Sequence, residues 1–253
     1  MLKIKSRLVT GSERSVVVKK NIIVSFAIRG FSIIVSLMLV PMTLGYVSNE
    51  LYGIWLTLSS VMVWLGFFDI GFTLGLKNKL TEAIALKDWG KGKSLVSTTY
   101  AMMFFIFIPI CFLFELLIPF VKWAEFLNVN VQYNDEITRV LYILVAFFCM
   151  QMIVNVLTSV IAAFQKVALS TVFPVIGNVL SLIAIWLLTK FCLPSLVALA
   201  FAISAMPIIV IVIASVILYC GKFKMVSPSY KYIDKKYVKS IFSLGAQIGR
   251  AHV

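Results

Sequence analysis

The sequence predicts an all-α membrane protein with six transmembrane helices and the start of a seventh. Hydrophobic residues make up 61% of the 253 positions and charged residues 13%, and the mean hydropathy is +1.03. So few polar residues cannot cover the outside of a water-soluble domain. The apolar stretches are unbroken runs of about twenty residues, the length that an α-helix needs to cross a bilayer. Strands of a membrane barrel would instead alternate apolar and polar positions.

The first three helices are predicted from apolar runs bounded by charged residues. Helix one covers 21–46 and follows a basic tail, residues 1–20. Helix two covers 54–76 and ends where a lysine-rich loop, 77–94, begins. Helix three covers 95–120, and a polar, net acidic segment follows it.

The remaining three helices complete a transmembrane lobe that we place at residues 21–220. Helix four covers 139–164, helix five 171–191 and helix six 196–220, with short polar turns between them. Residues 221–253 form a basic loop and an apolar start that we interpret as a truncated seventh helix. Consecutive helices of this length alternate in direction across the membrane.

Lysine and arginine are concentrated at one side of the predicted lobe. The tail holds six, the loop after helix two holds five and the loop after helix six holds six, whereas the other side holds only Lys122, Arg139 and Lys190. This bias predicts a cytoplasmic N-terminus. It also favours anionic membrane lipids over nucleic acid as the partner of the basic loops.

One cation and one acid fall inside predicted spans at matched depth. Arg29 lies nine positions, and Asp69 eight, from the lysines at the cytoplasmic side, which is about 12–13 Å at 1.5 Å per residue. The functional hypothesis is a cytoplasm-facing cavity in which Arg29 attracts a phosphate-bearing headgroup and Asp69 sets the local charge. A structural ion pair, or Arg29 reaching alone to the surface, explains the same residues.

Two weaker patterns concern helix packing and polar contacts. Gly71 and Gly75 form a GxxxG motif, which favours close approach of helices in a membrane. Gln151 and Asn155 share one helix face, and together with Asn178 they provide either a polar path for sugar hydroxyls or hydrogen bonds between helices. The only histidine is at position 252 and the four cysteines lack a CxxC spacing, so we predict no metal site, no cofactor and no enzymatic activity.

Two linked motifs carry a resemblance to a known family. The first stands at the end of helix one and the second near the cytoplasmic end of helix two; their residues are Pro41, Leu44, Gly45, Tyr52, Gly53 and Trp55, then Asp69, Gly71, Leu76, Asn78, Leu80, Glu82 and Ala83. This pattern resembles the N-terminal half of the polysaccharide transporter family, the O-antigen and capsule lipid-linked oligosaccharide flippases. That family belongs to the multidrug, oligosaccharidyl-lipid and polysaccharide exporter superfamily.

The resemblance implies one lobe of a two-lobed, MATE-like bundle that works by alternating access in the bacterial inner membrane. Its substrate would be an undecaprenyl-pyrophosphate-linked oligosaccharide, such as a lipopolysaccharide O-antigen or capsule repeat unit, with Arg29 placed to meet the pyrophosphate. A glycan polymerase and other assembly proteins would be partners. Because the predicted spans match one lobe, we expect a fragment. The alternatives are a multidrug or cation antiporter of the same superfamily and a membrane-embedded glycan polymerase or transferase.

Overall fold

The structure, a computed structural model, describes residues 2–66 and 69–241, with the side chains of 2–22 and 69–72 left out of the description. All regular secondary structure in these ranges is helical, which confirms the predicted all-α class. Within the described ranges, five segments are long and apolar enough to cross a membrane: Ile23–Tyr46, Trp89–Phe120, Val131–Ala163, Val167–Phe191 and Leu196–Cys220.

Nine α-helices occur in the described ranges. They are α1 (Leu2–Tyr46), α2 (Asn49–Gly66), α3 (Asp69–Ala85), α4 (Trp89–Leu117), α5 (Trp123–Phe126), α6 (Asn134–Val154), α7 (Val156–Ala163), α8 (Val167–Phe191) and α9 (Leu196–Cys220). Short 3₁₀ turns cover Ile118–Phe120, Val131–Tyr133, Lys224–Val226 and Tyr230–Tyr232. A further helical turn occupies 236–241.

Helix six has the predicted bounds, whereas several other boundaries differ. Residues 2–20, which we predicted as a tail, are part of α1. Lysine, arginine and glutamate favour helix, so α1 begins before the apolar run does. The predicted second span, 54–76, is divided between α2 and α3 on either side of residues 67 and 68, which the structure does not describe. Residues 242–253, which hold most of the predicted start of a seventh helix, also lie beyond the described residues. Six transmembrane helices and the start of a seventh therefore stay a prediction.

The lysine-rich loop is shorter than predicted because helices extend into it from both sides. α3 continues past Lys77 to Ala85 through residues that favour helix. α4 already begins at Trp89, where the Asp88 side chain accepts a hydrogen bond from the Lys91 amide at 2.9 Å. Such a cap satisfies an amide that has no partner within the helix.

The long helices pack as a closed arrangement with α1 on its outside. α9 packs against α8 and α6, α6 against α4, α4 against α3, α3 against α7, and α7 against α8. α1 lies mainly against α8. Fully buried side chains such as Leu95, Ile137, Val160 and Ile211 fill the centre. The fold therefore leaves space for a cavity where α1 and α8 face α3 and α7.

The two ends of the bundle differ in charge. We call the end formed by 77–93, 164–170 and 221–241 the basic end, and the end formed by 46–50, 118–134 and 192–196 the opposite end.

At the opposite end the Tyr46 hydroxyl donates to the Leu193 carbonyl at 2.8 Å, and the Leu196 amide donates to the Glu136 carboxylate at 2.7 Å. These bonds tie the ends of α1, α6, α8 and α9 together.

Candidate functional site

A cavity of about 460 Å³ lies in the half of the bundle nearer the basic end, between α1, α3, α7 and α8. Most of its lining side chains are polar: Arg29, Ser32, Thr73, Lys77, Asn155, Thr158, Ser159, Ser170 and Thr171. The others are Ile28, Leu74, Ala162, Pro174 and Val175. A volume of this size accommodates a small-molecule-sized group.

Each wall of the cavity comes from one face of one helix. α1 contributes positions 28, 29 and 32, and α3 contributes 73, 74 and 77. On α8 the lining positions are 170, 171, 174 and 175. Residues spaced by three or four positions lie on the same side of an α-helix. The polar residues therefore converge because each of the four helices turns polar side chains on one face toward the cavity.

The cavity carries two positive charges, from Arg29 on α1 and Lys77 on α3. Neither side chain forms an ion pair with any side chain that the structure describes. No aspartate or glutamate is among the lining residues whose side chains the structure describes. Arg29 is exposed and Lys77 is partly buried, so both cations face open space. Two like charges lining one concave, partly apolar site create a field that attracts an anion.

The wall opposite these cations contains a helix break at Asn155. α6 ends at Val154 and α7 begins at Val156. The Gln151 side-chain amide donates to the Asn155 side-chain oxygen at 2.5 Å, and the Thr158 hydroxyl donates to the Asn155 carbonyl at 2.7 Å. These two bonds hold the break in one conformation. They also present amide and hydroxyl groups, able to donate and accept hydrogen bonds, at the cavity surface.

A second irregularity faces the same cavity on α8. Pro174 lies within this helix and lines the cavity, as does Ser170 four residues earlier. Proline has no amide hydrogen, so the Ser170 carbonyl cannot receive the usual helical hydrogen bond from position 174. At membrane depth such a carbonyl is tolerated where it lines a hydrated cavity. The wall therefore offers a backbone acceptor beside the hydroxyls of Ser170 and Thr171.

The structure brings some of the predicted site residues together and separates others. Arg29 and Asn155 both line the cavity. Gln151 is not a lining residue, but its side chain donates a hydrogen bond to the Asn155 side chain. Asn178 is not among the lining residues. The side chains of Asp69 and Gly71 are outside the description, so a contact between Arg29 and Asp69 stays a prediction.

Gly75 is in close contact with the chain that follows α9. It is buried, and a Cβ atom built there would collide with the Ile241 carbonyl group. The approach is thus between α3 and the turn 236–241, at a position two residues before Lys77. A larger residue at position 75 would push this segment away from α3.

Sequence reasoning missed Lys77 and the hydroxyl residues of the cavity. Lys77 stands where an apolar run ends, a position at which lysine is ordinary. Thr73 and Lys77 are four residues apart, but this spacing indicates a shared face only if the helix continues beyond the apolar run, as α3 does.

The site is thus defined by geometry and charge: two cations, a broken helix and several hydroxyls around one cavity. Comparisons of the chain with protein-family models, with curated proteins and with solved structures gave no match.

Proposed function

We propose that this chain forms one lobe of a membrane transporter that moves a polyprenyl-diphosphate-linked oligosaccharide across the bacterial inner membrane by alternating access. The cavity with Arg29 and Lys77, and with no acid among its described lining side chains, is the observation that carries this proposal. A diphosphate is a compact anion, and arginine and lysine are the side chains that bind phosphate oxygens best. The basic end would face the cytoplasm, where the lipid-linked precursor is made.

The remaining wall of the cavity suits the sugar that follows the diphosphate. The Asn155 side-chain amide supplies a donor, and the hydroxyls of Thr158, Ser170 and Thr171, which themselves donate to backbone carbonyls, supply acceptors within the same space. A sugar hydroxyl both donates and accepts, so it pairs with groups of either kind. The apolar helices around the cavity leave the polyprenyl chain in the surrounding lipid, since its transfer into water would be unfavourable.

The cavity favours this substrate over that of a multidrug or cation antiporter. A cationic drug would meet two positive charges, and like charges repel it from a concave, partly apolar site. Among the side chains that the structure describes, the lining has no carboxylate to offset them. The resemblance of the two sequence motifs to the polysaccharide transporter family supports the same choice.

The proposal is tested by measuring binding to the purified chain in a neutral detergent. The probe is a short-chain polyprenyl diphosphate, and the corresponding polyprenol is the uncharged comparison. Arg29→Gln and Lys77→Gln should each weaken diphosphate binding by about tenfold or more, because each removes a charge-assisted hydrogen bond. Polyprenol binding should not change.

Two variants of equal charge change serve as controls. Arg139→Gln alters an exposed arginine on α6 and Lys190→Gln an exposed lysine on α8, neither of which lines the cavity. Both should bind the diphosphate as the wild type does. Equal affinity for diphosphate and polyprenol, or control variants that lose as much affinity as the cavity variants, would overturn the proposal. Tight binding of a lipophilic cation such as tetraphenylphosphonium would favour the antiporter instead.

A further inference from the structure

The segment that follows α9, residues 221–241, folds back along the basic end of the bundle; we call it the basic strap. Phe223 and Val226 of the strap are almost fully buried, at 1% and 0% exposure. Val226 packs against Gly92 of α4, where an added Cβ would lie 3.1 Å from its Cγ1 atom. The strap is therefore part of the packed structure of the lobe.

Hydrogen bonds to two hydroxyl groups of α4 hold the backbone of the strap in place. The Ser229 amide donates to the Ser97 hydroxyl at 2.9 Å, and the Asp234 amide donates to the Thr98 hydroxyl at 3.0 Å. The Lys93 ammonium lies over the Tyr232 ring, 4.8 Å from its centre. Because both the backbone and an aromatic ring are held, the outward-facing side chains of the strap form a defined surface.

That surface combines positive charge with exposed aromatic and apolar groups. Its exposed lysines are Lys222, Lys224, Lys231, Lys235, Lys236 and Lys239. The one acid, Asp234, is paired with Lys236 at 2.8 Å. Tyr230 is 79% exposed, Ile233 47% and Met225 44%. These three side chains leave apolar surface exposed among the lysines, which is a feature of surfaces that contact a membrane or another molecule.

The position of the strap relates this surface to the membrane. α9 and α4 both belong to segments that can cross a bilayer; the first of these segments ends at Cys220 and the second begins at Trp89. The strap connects to the first and packs on the second, so it lies where both helices leave the apolar layer. Tyrosine and lysine are the residues that match this boundary, with rings among the acyl chains and ammonium groups among the headgroups.

We propose that the basic strap is a binding surface for anionic phospholipid headgroups at the face of the bilayer. Phosphatidylglycerol is the probe of this chemistry, because it carries one negative charge and phosphatidylcholine of the same acyl chains carries none. Lysine clusters directly beside a transmembrane helix attract such lipids electrostatically. This surface is separate from the cavity, so the inference does not depend on the transport proposal.

The test is lipid binding to the full chain in neutral detergent, followed by native mass spectrometry. The variant Lys224→Gln, Lys235→Gln and Lys239→Gln removes three exposed lysines for which the described residues offer no ion pair. It should weaken phosphatidylglycerol binding by at least about tenfold, since each surface lysine contributes to the attraction. Phosphatidylcholine binding should stay the same.

The matched control is Lys122→Gln, Arg139→Gln and Lys190→Gln, which removes equal charge from residues within or close to the opposite end. It should keep most of the phosphatidylglycerol binding. A third variant, with arginine at 224, 235 and 239, keeps the charge and should bind as the wild type does, which separates charge from misfolding. Equal losses in the two glutamine variants would overturn the inference, as would tighter binding of polyuridylate or polyglutamate than of phosphatidylglycerol by the strap.

Discussion

The crossing of α8 and α9 at Gly177 can be tested by adding one carbon atom. In Gly177→Ala, the new Cβ would lie 2.5 Å from the Pro207 Cα and 2.9 Å from its Cβ. Carbon atoms in favourable contact are about 3.5–4.0 Å apart, so the two helices must separate by about 1 Å. Both contacts are with a proline in the middle of α9, which cannot rotate away as a flexible side chain would.

The expected cost follows from this geometry. Overpacking a well-packed interface costs about 1–3 kcal/mol. For a chain of this size each kcal/mol lowers the melting temperature by roughly 2–4 °C. The same displacement should weaken polyprenyl diphosphate binding, because Pro174 and Val175 on the preceding turn of α8 line the cavity.

Thermal unfolding of the purified chain in detergent, followed by far-UV circular dichroism, measures the effect. Gly53→Ala is the matched control, because a Cβ at Gly53 meets nothing within 4 Å and its helix is exposed there. This control should melt at the wild-type temperature or slightly above it, since alanine favours helix over glycine by about 0.5–1 kcal/mol. If Gly177→Ala melts together with Gly53→Ala, the close approach of α8 and α9 is wrong.

Two further predictions concern the ends of the bundle. Glu136→Gln should lower the free energy of unfolding by about 0.5–2 kcal/mol, because the carboxylate accepts the first amide of α9; Asp135→Asn, an exposed neighbour, should have no such effect in the same thermal assay. At the basic end, the hydrogen bond from Lys236 holds the pKa of Asp234 below its usual value. A lowered pKa in the folded state gives stabilisation that is present at neutral pH and lost as the pH falls through that pKa. The melting-temperature difference between the wild type and Asp234→Asn should therefore disappear in acid. A difference that persists in acid would show that the ion pair is not its cause.

The sequence predicted the helical class and the position of most spans, because hydropathy reports directly which residues avoid water. It did not predict helix ends, except where local signals agree. α9 begins where the Ser195 hydroxyl accepts an amide hydrogen bond from Ala198, and it stops at Gly221; serine and glycine mark these places in the sequence as well. α1 and α3 continue past their apolar runs because helix propensity does not depend on hydrophobicity.

The cavity was only partly predictable, for a physical reason. Arg29 was identified because a charge within an apolar run is rare and costly. Lys77 was not, since it stands where an apolar run ends, a position at which lysine is ordinary. Threonine and serine gave no signal, because their hydroxyls can bond to the carbonyl one turn earlier and are common in membrane helices. Thr81 does so with the Lys77 carbonyl at 2.7 Å.

One helix irregularity and two charges together argue that the cavity is hydrated. Pro174 leaves the Ser170 carbonyl without its usual helical partner, whereas at Asn155 the amide donates to the Gln151 carbonyl and the carbonyl accepts from Thr158. In hydrocarbon an unsatisfied carbonyl costs several kcal/mol, and this one belongs to the space that Ser170 and Pro174 line. That space also holds Arg29 and Lys77, whose charges need solvent or a counter-ion. Hydration of the cavity satisfies the Ser170 carbonyl and both charges at once.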